Sequence, residues 1–155
     1  MSEREVQPFT ARQEALASVA FKIMSPLHIW VYRTSGGKVG GTFLRGAPVM
    51  LLTTTGRKSG KPRTAPLIYL EDGDDIVVVA SRAGTNRDPA WYRNLEANPD
   101  VEVEIGTGRR AMRARCVSDE ERAELWPRLT QMYRDYDDYQ ARTSRNIPVV
   151  VLSPR

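Results

Sequence analysis

The sequence has few of the side chains that carry enzyme chemistry unaided, with one cysteine, Cys116, and one histidine, His28. A zinc site of the His/Cys type would need carboxylate ligands, and these stand at no recognisable spacing. A Ser-His-Asp triad could use only His28, which lies between Leu27 and Ile29 in a stretch that reads as helix, where a packed or partly exposed histidine is the ordinary interpretation. We therefore expect no metal site, and if the chain is an enzyme, a bound cofactor carries the reactivity.

Long apolar segments and disulfide pairs are also missing. No uninterrupted apolar run approaches the roughly 20 residues that a membrane span needs. One cysteine forms no intrachain disulfide, and the opening MSEREVQPFT contains no apolar signal segment. These absences predict a cytoplasmic protein. The length of 155 residues fits one domain in which cofactor and substrate share a cleft.

Negative charge is absent from a long part of the chain. Residues 15–70 hold eight lysines and arginines and no carboxylate, a formal charge of +8 with His28 neutral, whereas the whole chain carries +4. A segment that carries only positive charge predicts an anionic partner. That partner could be a phosphorylated cofactor, a nucleic acid or an acidic membrane surface.

The N-terminal part is predicted to be helical. Residues 11–24 place Leu16 and other apolar side chains at helical spacing, and Ser25-Pro26 is typical of an N-cap followed by proline, so we predict a bent pair of helices. The glycine-rich SGGKVGG then ends the helical pattern. We treat residues 1–35 as an amphipathic helical segment of the same domain, with residues 36–155 forming the cofactor-binding part. Its apolar face is expected to pack on the domain, the alternative being a lipid surface.

Strand patterns begin at residue 49. Alternating or apolar segments bounded by turn residues predict a hairpin across EDGDD and another across GTGRR. Mostly antiparallel strands with scattered helices indicate an α+β barrel or sandwich rather than a doubly wound sheet. The predicted strands are residues 49–55, 64–70, 76–81, 101–105, 112–117 and 147–152.

Two helices are predicted among the strands. Asp88 can cap a helix that has Pro89 at its first position. Ser118 and Glu121 form a capping-box pattern that opens a second helix running toward Tyr139.

The most specific local motif is GRKSGKPR, residues 56–63, between two predicted strands. Four cations and two glycines in eight residues suit phosphate binding through charge and backbone amides. The spacing excludes a Walker loop, because three residues separate the glycines and Pro62 stands where Ser or Thr is required. A solvated turn with incidental lysines is the alternative, and the acid-free surroundings favour binding.

Two further motifs are candidates for a ligand site. The segment SRAGTNRDPAWYRNL, residues 81–95, joins a strand end to a helix N-terminus, whose free amides could hold the carbonyl oxygens of a heterocycle. Tyr133, Tyr136 and Tyr139 recur every three residues, so on a helix they would share one face. A core stripe is the ordinary interpretation, but three phenols also suit the rim of a polar and aromatic pocket.

Three segments in order, LLTTTGRKSGKPRTAPL, VVVASRAGTNRDPAWYRNLEANPDVEVEI and DEERAELWPRLTQMYRDYDDYQARTSRNIPVVVL, closely resemble the deazaflavin-dependent nitroreductase family of actinobacteria. The resemblance covers residues 40–153. It implies a split β-barrel with flanking helices, like that of the pyridoxamine phosphate oxidases and other FMN-binding split barrels. It also implies the deazaflavin coenzyme F420, whose phosphodiester and glutamate tail make it a polyanion.

The resemblance also assigns residues. It implies that the phosphate and tail are held by Arg57, Lys58 and Arg63, and that the deazaflavin and its ribityl chain are lined by Ser81, Arg82, Ala90, Trp91 and Asn94. It places Ser81 near the substrate and makes Tyr133, Tyr136 and Tyr139 the substrate wall. Relatives active on bicyclic nitroimidazoles have a tyrosine where this chain has Ile68, which argues against that substrate.

The resulting prediction is an F420-dependent reductase that passes a hydride to a quinone, an activated alkene or a nitroaromatic compound, without a nucleic-acid partner. An FMN enzyme of the same barrel is the alternative within the enzyme class. Outside it, the alternatives are a non-catalytic cofactor carrier and a nucleic-acid-binding protein. A further hypothesis is that the basic amphipathic helix contacts the inner face of the cell membrane.

Overall fold

The computed structural model describes residues 6–43 and 46–155, apart from the side chains of residues 18–24. Those residues contain four α-helices and seven strands. They are α1 (Ala11–Ser35), β1 (Val49–Thr55), β2 (Pro62–Ile68), β3 (Leu70–Asp72), β4 (Asp75–Val79), α2 (Ala90–Ala97), β5 (Asp100–Ile105), β6 (Gly108–Cys116), α3 (Asp119–Met132), α4 (Asp135–Arg142) and β7 (Val149–Pro154).

The helix α1 is one continuous element, so the predicted bent pair of helices is wrong. Thr10 caps it, accepting a hydrogen bond from the Gln13 amide at 3.2 Å, and Gly36 ends it in the left-handed conformation with φ 63°. Pro26 lies inside the helix rather than at its start. A proline removes one i to i−4 hydrogen bond, and the hydrogen bonds of the neighbouring turns keep the helix continuous across Pro26.

The apolar residues of α1 that the structure describes do not all pack inward as expected. Leu16 is 63% exposed, Leu27 58% and Trp30 64%. The last turn is the anchor instead, because Tyr32 is buried and its hydroxyl accepts a hydrogen bond from the Gly106 amide at 2.9 Å. None of the helices in the described residues combines the length and apolar character needed to span a bilayer.

A buried carboxylate fixes the same turn to the sheet. Glu104 accepts two hydrogen bonds from the Arg33 guanidinium, at 3.2 and 2.8 Å, and lies 3.2 Å from a nitrogen of Arg109. The bond to Glu104 raises the pKa of Arg33. A carboxylate this deeply buried is tolerated because two guanidinium groups compensate its charge.

The strands form one antiparallel sheet in the order β2-β1-β5-β6-β7-β4-β3. The predicted bounds of β1 are confirmed, as is the pairing of β5 with β6 across the GTGRR turn. The predicted pairing of residues 64–70 with 76–81 is wrong over most of its length. Residues 62–68 pair with β1, and of the predicted segment 64–70 only Leu70, the first residue of β3, pairs with β4.

Tyr69 accounts for this difference, since it interrupts the predicted strand 64–70. Its amide donates to the Pro48 carbonyl at 3.2 Å, and its ring is buried on one face of the sheet while Ile68 packs toward the other. The chain therefore pairs with β1 before Tyr69 and with β4 after it. Such a crossing depends on contacts far away in sequence.

Each face of the sheet carries its own core. Successive side chains of a strand point to opposite faces, and β4 sends Ile76 and Val78 to one and Val77 and Val79 to the other. The first cluster lies under α2 and includes Met50, Leu52, Trp91, Tyr92, Leu95 and Val103. The second cluster lies under α3 and α4 and includes Leu125, Leu129, Tyr133, Tyr136, Ile147 and Val149.

The helices on these faces start differently from the prediction in two places. Pro89, not Asp88, is the N-cap of α2, because the Asp88 carboxylate is engaged by Arg145 at 3.0 Å. Ser118 does cap α3, accepting from the Glu121 amide at 3.2 Å, but the Glu121 carboxylate binds Arg115 instead of closing the capping box. The single helix predicted to reach Tyr139 is two helices, interrupted at residues 133–134.

Candidate active site

The basic loop between β1 and β2 is a tight, closed turn. The Gly56 amide donates to the Lys61 carbonyl and the Gly60 amide donates to the Gly56 carbonyl, both at 2.8 Å. Gly60 has φ 69°, and a Cβ on Gly56 would lie 2.6 Å from the Ser59 hydroxyl. A side chain at Gly56 would be crowded by Ser59 and by the Lys61 carbonyl at 3.2 Å, and glycine is favoured at Gly60 by conformation. The closed backbone leaves the side chains of Arg57 and Lys58 exposed.

This loop and the first turns of α2 enclose a cleft of about 320 Å³. Six of the eight predicted cofactor-binding residues line it, although they come from two segments more than 25 positions apart in the sequence. The lining residues are Gly56, Arg57, Lys58, Ser59, Arg63, Thr64, Ala65, Ala90, Trp91 and Asn94. The other two predicted residues, Ser81 and Arg82, are not among them.

Asn94 holds the two walls of the cleft together. It is 5% exposed, its side-chain oxygen accepts from the Arg57 amide at 3.1 Å, and its nitrogen donates to the Thr54 hydroxyl at 3.1 Å. Both ends of the amide are thus used within the protein. Asn94 positions the basic loop against α2, a role that its place in the sequence motif did not reveal.

The cleft suits an anionic group. Three cations line it, Arg57, Lys58 and Arg63, and no carboxylate appears among its described lining residues. Ala90 begins α2, so the free amides and partial positive charge of a helix N-terminus also face this region. A phosphate could accept charge-assisted hydrogen bonds here from guanidinium, ammonium and amide donors together.

Ser81 and Arg82 lie outside this cleft, and we call the part of the structure around them the Ser81 corner. They belong to the loop that leads from β4 into α2, and three consecutive residues in it have positive φ: Arg82 at 43°, Ala83 at 54° and Gly84 at 78°. Arg145 donates to the Ser81 carbonyl at 2.7 Å. Sequence reasoning missed Arg145, because an isolated arginine in a polar turn carries no local signal of its role.

The three tyrosines form an aromatic cluster beside this corner. Their ring centroids are 5.0 Å apart for Tyr133 and Tyr136, 6.0 Å for Tyr133 and Tyr139, and 6.2 Å for Tyr136 and Tyr139. The idea that they share one helix face is wrong, because Tyr133 lies in the break between α3 and α4. The break brings the rings together, and the hydroxyls of Tyr133 and Tyr139 are hydrogen bonded at 2.9 Å.

Burial differs among the three tyrosines. Tyr133 is 1% exposed and Tyr136 3%, whereas Tyr139 is partly exposed. Burial raises the pKa of Tyr133 and of Tyr136 above the usual range, so both phenols stay protonated at neutral pH. The backbone of Tyr139 touches the Ser81 corner, since a Cβ on Gly84 would lie 2.5 Å from the Tyr139 carbonyl oxygen.

Comparison with known proteins defines the class. The model of the F420H(2)-dependent quinone reductase family matches residues 24–154. The chain belongs to this family. It is therefore an F420-dependent oxidoreductase, and its cofactor is F420.

Individual relatives agree with this assignment. The F420H(2)-dependent quinone reductase Rv1261c of Mycobacterium tuberculosis (strain ATCC 25618 / H37Rv) is 45% identical over 132 residues, which are 83% of this chain and 89% of that protein. The structure of the F420-H2 dependent reductase FDR-A is 40% identical with a TM-score of 0.64, covering 68% of this chain and 94% of that chain.

A more distant structure bears on the fold alone. A Listeria innocua protein with a pyridoxamine 5'-phosphate oxidase name is 18% identical with a TM-score of 0.51, covering 69% of this chain and 83% of that chain. The predicted α+β split barrel of the pyridoxamine phosphate oxidase type is confirmed.

Proposed function

We propose that the cleft between the basic loop and α2 binds the phosphate and tail of F420, and that the chain uses the reduced cofactor to reduce a quinone. The observation that carries the proposal is the convergence of Arg57, Lys58 and Arg63 with the N-terminus of α2 in one carboxylate-free cleft. When bound, reduced F420 supplies the hydride. The chain supplies binding, orientation and proton management.

The deazaflavin end is assigned to the strand-loop-helix unit that contains the Ser81 corner and the first turn of α2. Ser81 and Arg82 follow β4, and the same loop continues into α2, where Ala90 and Trp91 line the cleft. An elongated cofactor with its phosphate at the basic loop can therefore reach the Ser81 corner along a single segment. Trp91 is 8% exposed and offers a mainly fixed aromatic edge.

The acceptor side is assigned to the tyrosine cluster. Tyr139 is the partly exposed member, and its hydroxyl is hydrogen bonded to that of the buried Tyr133. Tyr133 and Tyr136 then support Tyr139 from the core and keep a protonated phenol close to the Ser81 corner. A phenol or the Ser81 hydroxyl can donate a hydrogen bond or a proton to an acceptor oxygen.

The family name favours quinones, and activated alkenes and nitroaromatics are further acceptors of the same hydride chemistry. Ile68 packs against the second cluster, which contains Tyr133 and Tyr136. An aliphatic side chain in this position removes a hydroxyl that relatives active on nitroimidazoles are expected to use.

We predict that Lys58→Ala and Arg63→Ala each weaken F420 binding by about 1 to 3 kcal/mol, the scale of a hydrogen bond to a charged group. The dissociation constants are measured by fluorescence titration. Lys61→Ala is the matched control, because it removes the same charge from the same loop at a residue that does not line the cleft.

If all three variants lost affinity equally, the effect would be general electrostatics rather than contact in the cleft. If the Lys58/Arg63 double variant bound F420 as tightly as the parent, the phosphate assignment would be wrong.

For the tyrosine cluster we predict that Tyr139→Phe and Tyr133→Phe lower the turnover number or change acceptor preference while the F420 dissociation constant changes little. A hydrogen bond made only in the transition state appears in the catalytic constant. Steady-state kinetics with a quinone, an enone and a nitroaromatic compound measure this. Tyr92→Phe is the control, because Tyr92 is a buried phenol of the first cluster on the opposite face of the sheet.

The contrary result is loss of unfolding free energy with unchanged kinetics on all three acceptors. The cluster would then be core packing only, and the acceptor site would lie elsewhere around Ser81.

We also propose that the exposed apolar side chains of α1 contact an anionic membrane surface, where quinones dissolve. Leu27 and Trp30 follow Leu16 by eleven and fourteen residues. At about 100° per residue, each of them lies within about 40° of Leu16 around the helix axis, so the three exposed side chains share a face. The exposed Arg12 is one turn before Leu16. Exposed apolar side chains with tryptophan and arginine are typical of helices that lie in the headgroup region.

We expect the double variant Leu27→Ser/Trp30→Ser to sediment at least about tenfold less with phosphatidylglycerol vesicles, since each side chain contributes about 1.5 to 3 kcal/mol when buried. Val39→Ser is the control, because Val39 is 57% exposed but lies outside α1. Equal sedimentation of the parent and the double variant would show that α1 does not contact the membrane through Leu27 and Trp30.

A further inference from the structure

The loop 80–88 has a backbone that needs external support. Arg82 and Ala83 have φ of 43° and 54°, a left-handed region that is unfavourable for non-glycine residues, and Gly84 continues the run at 78°. Hydrogen bonds within the loop are few and local, such as Gly84 to Ser81 at 2.9 Å and Thr85 to Arg82 at 3.2 Å. Conformations of this kind persist where surrounding groups over-determine them.

Arg145 supplies much of that support through one side chain. Its guanidinium donates to the Ser81 carbonyl at 2.7 Å and the Ala80 carbonyl at 3.2 Å before the left-handed run. It also donates to the Thr85 carbonyl at 2.8 Å after the run. The distance between the two ends of the strained turn is therefore fixed by a rigid planar group.

A fourth contact of Arg145, with Asp88, links the loop to the start of α2. Arg145 lies 3.0 Å from the Asp88 carboxylate, two residues before Ala90, where α2 begins. The Arg145 side chain is only 16% exposed, and burial lowers the pKa of its guanidinium, which nevertheless stays charged at neutral pH. A partly desolvated guanidinium with one carboxylate and three carbonyl partners is a strong and directional contact.

Neighbouring residues hold the same loop from other sides. Arg142 donates to the Ala83 carbonyl at 3.3 Å, Thr143 donates to the Asn86 side-chain oxygen at 3.0 Å, and the Glu14 carboxylate accepts from the Asn86 amide at 2.7 Å. Arg145 differs from these because it alone bridges both ends of the left-handed run among the described residues.

We propose that Arg145 is a positioning residue for the F420 site: it sets the 80–88 loop so that Ser81 and the first turn of α2 present a preformed surface to the cofactor. The inference rests on the proposed function, since it takes this loop as a wall of the cofactor site. Arg145 acts through the backbone of the loop.

The test compares Arg145→Met and Arg145→Lys in the full chain, with Arg113→Met as a control for loss of an arginine that is exposed on β6. Lysine keeps the charge but lacks the planar fork that reaches four acceptors. Asp88→Asn removes the carboxylate and leaves the carbonyl bonds. Three quantities are measured: the F420 dissociation constant well below the unfolding temperature, amide hydrogen exchange of residues 80–88 without cofactor, and turnover at saturating F420.

We expect both Arg145 variants to bind F420 at least about tenfold more weakly, which corresponds to about 1.4 kcal/mol, and to exchange amides of residues 80–88 faster. Turnover at saturating cofactor should fall less than affinity does. Asp88→Asn should have a smaller effect, and Arg113→Met none. If Arg145→Met does not fold, Arg145→Lys carries the same comparison.

A lower unfolding temperature with parental affinity and parental exchange in residues 80–88 would overturn the proposal and leave Arg145 a general stabilising residue. The proposed function fails separately, if the parent chain itself does not bind F420. In that case the positioning role for this cofactor falls with it.

Discussion

The site depends on one buried side chain amide. Asn94 accepts a hydrogen bond from the Arg57 amide and donates one to Thr54, so a single residue of α2 is tied both to the basic loop and to the strand that precedes it. The core contacts of Trp91 and Leu95 place α2 on the sheet, and this link fixes the basic loop relative to it. The loop's cations and the helix N-terminus face each other across one cleft, and the cost of burying the amide is offset because both of its ends are bonded.

The loop between β4 and α2 links this cleft to the tyrosine cluster, which we propose as the acceptor side. The loop that follows β4 leads into α2 and contacts Tyr139 of α4, so it joins the α2 face to the α4 face. The cleft that we propose for the phosphate is on the α2 face, and the tyrosine cluster touches the loop from α4. Hydride transfer needs cofactor and acceptor in fixed mutual orientation, and in the proposed function this shared loop provides it. The strained backbone of residues 82–84 is consistent with that demand.

Sequence reasoning succeeded where local chemistry determines structure. The bounds of β1, the β5–β6 hairpin and the Ser118 cap follow from periodicity and turn residues close in sequence. The resemblance added six residues that the structure brings into one cleft. Two predictions failed because of distant contacts: Tyr69 bonds to Pro48 and interrupts a predicted strand, and Arg145 binds the carboxylate that was expected to cap α2. The shared helix face of the tyrosines failed because of the break at residues 133–134. The distant contacts leave no periodic trace in the sequence.

In the proposed function the carboxylate-free cleft selects the deazaflavin cofactor. Parallel fluorescence titrations of the purified parent chain with F420 and with FMN, at the same ionic strength, measure this selection. We expect saturable F420 binding with FMN bound much more weakly, because the basic loop suits an extended anionic tail that FMN lacks. Equal or tighter binding of FMN would contradict it.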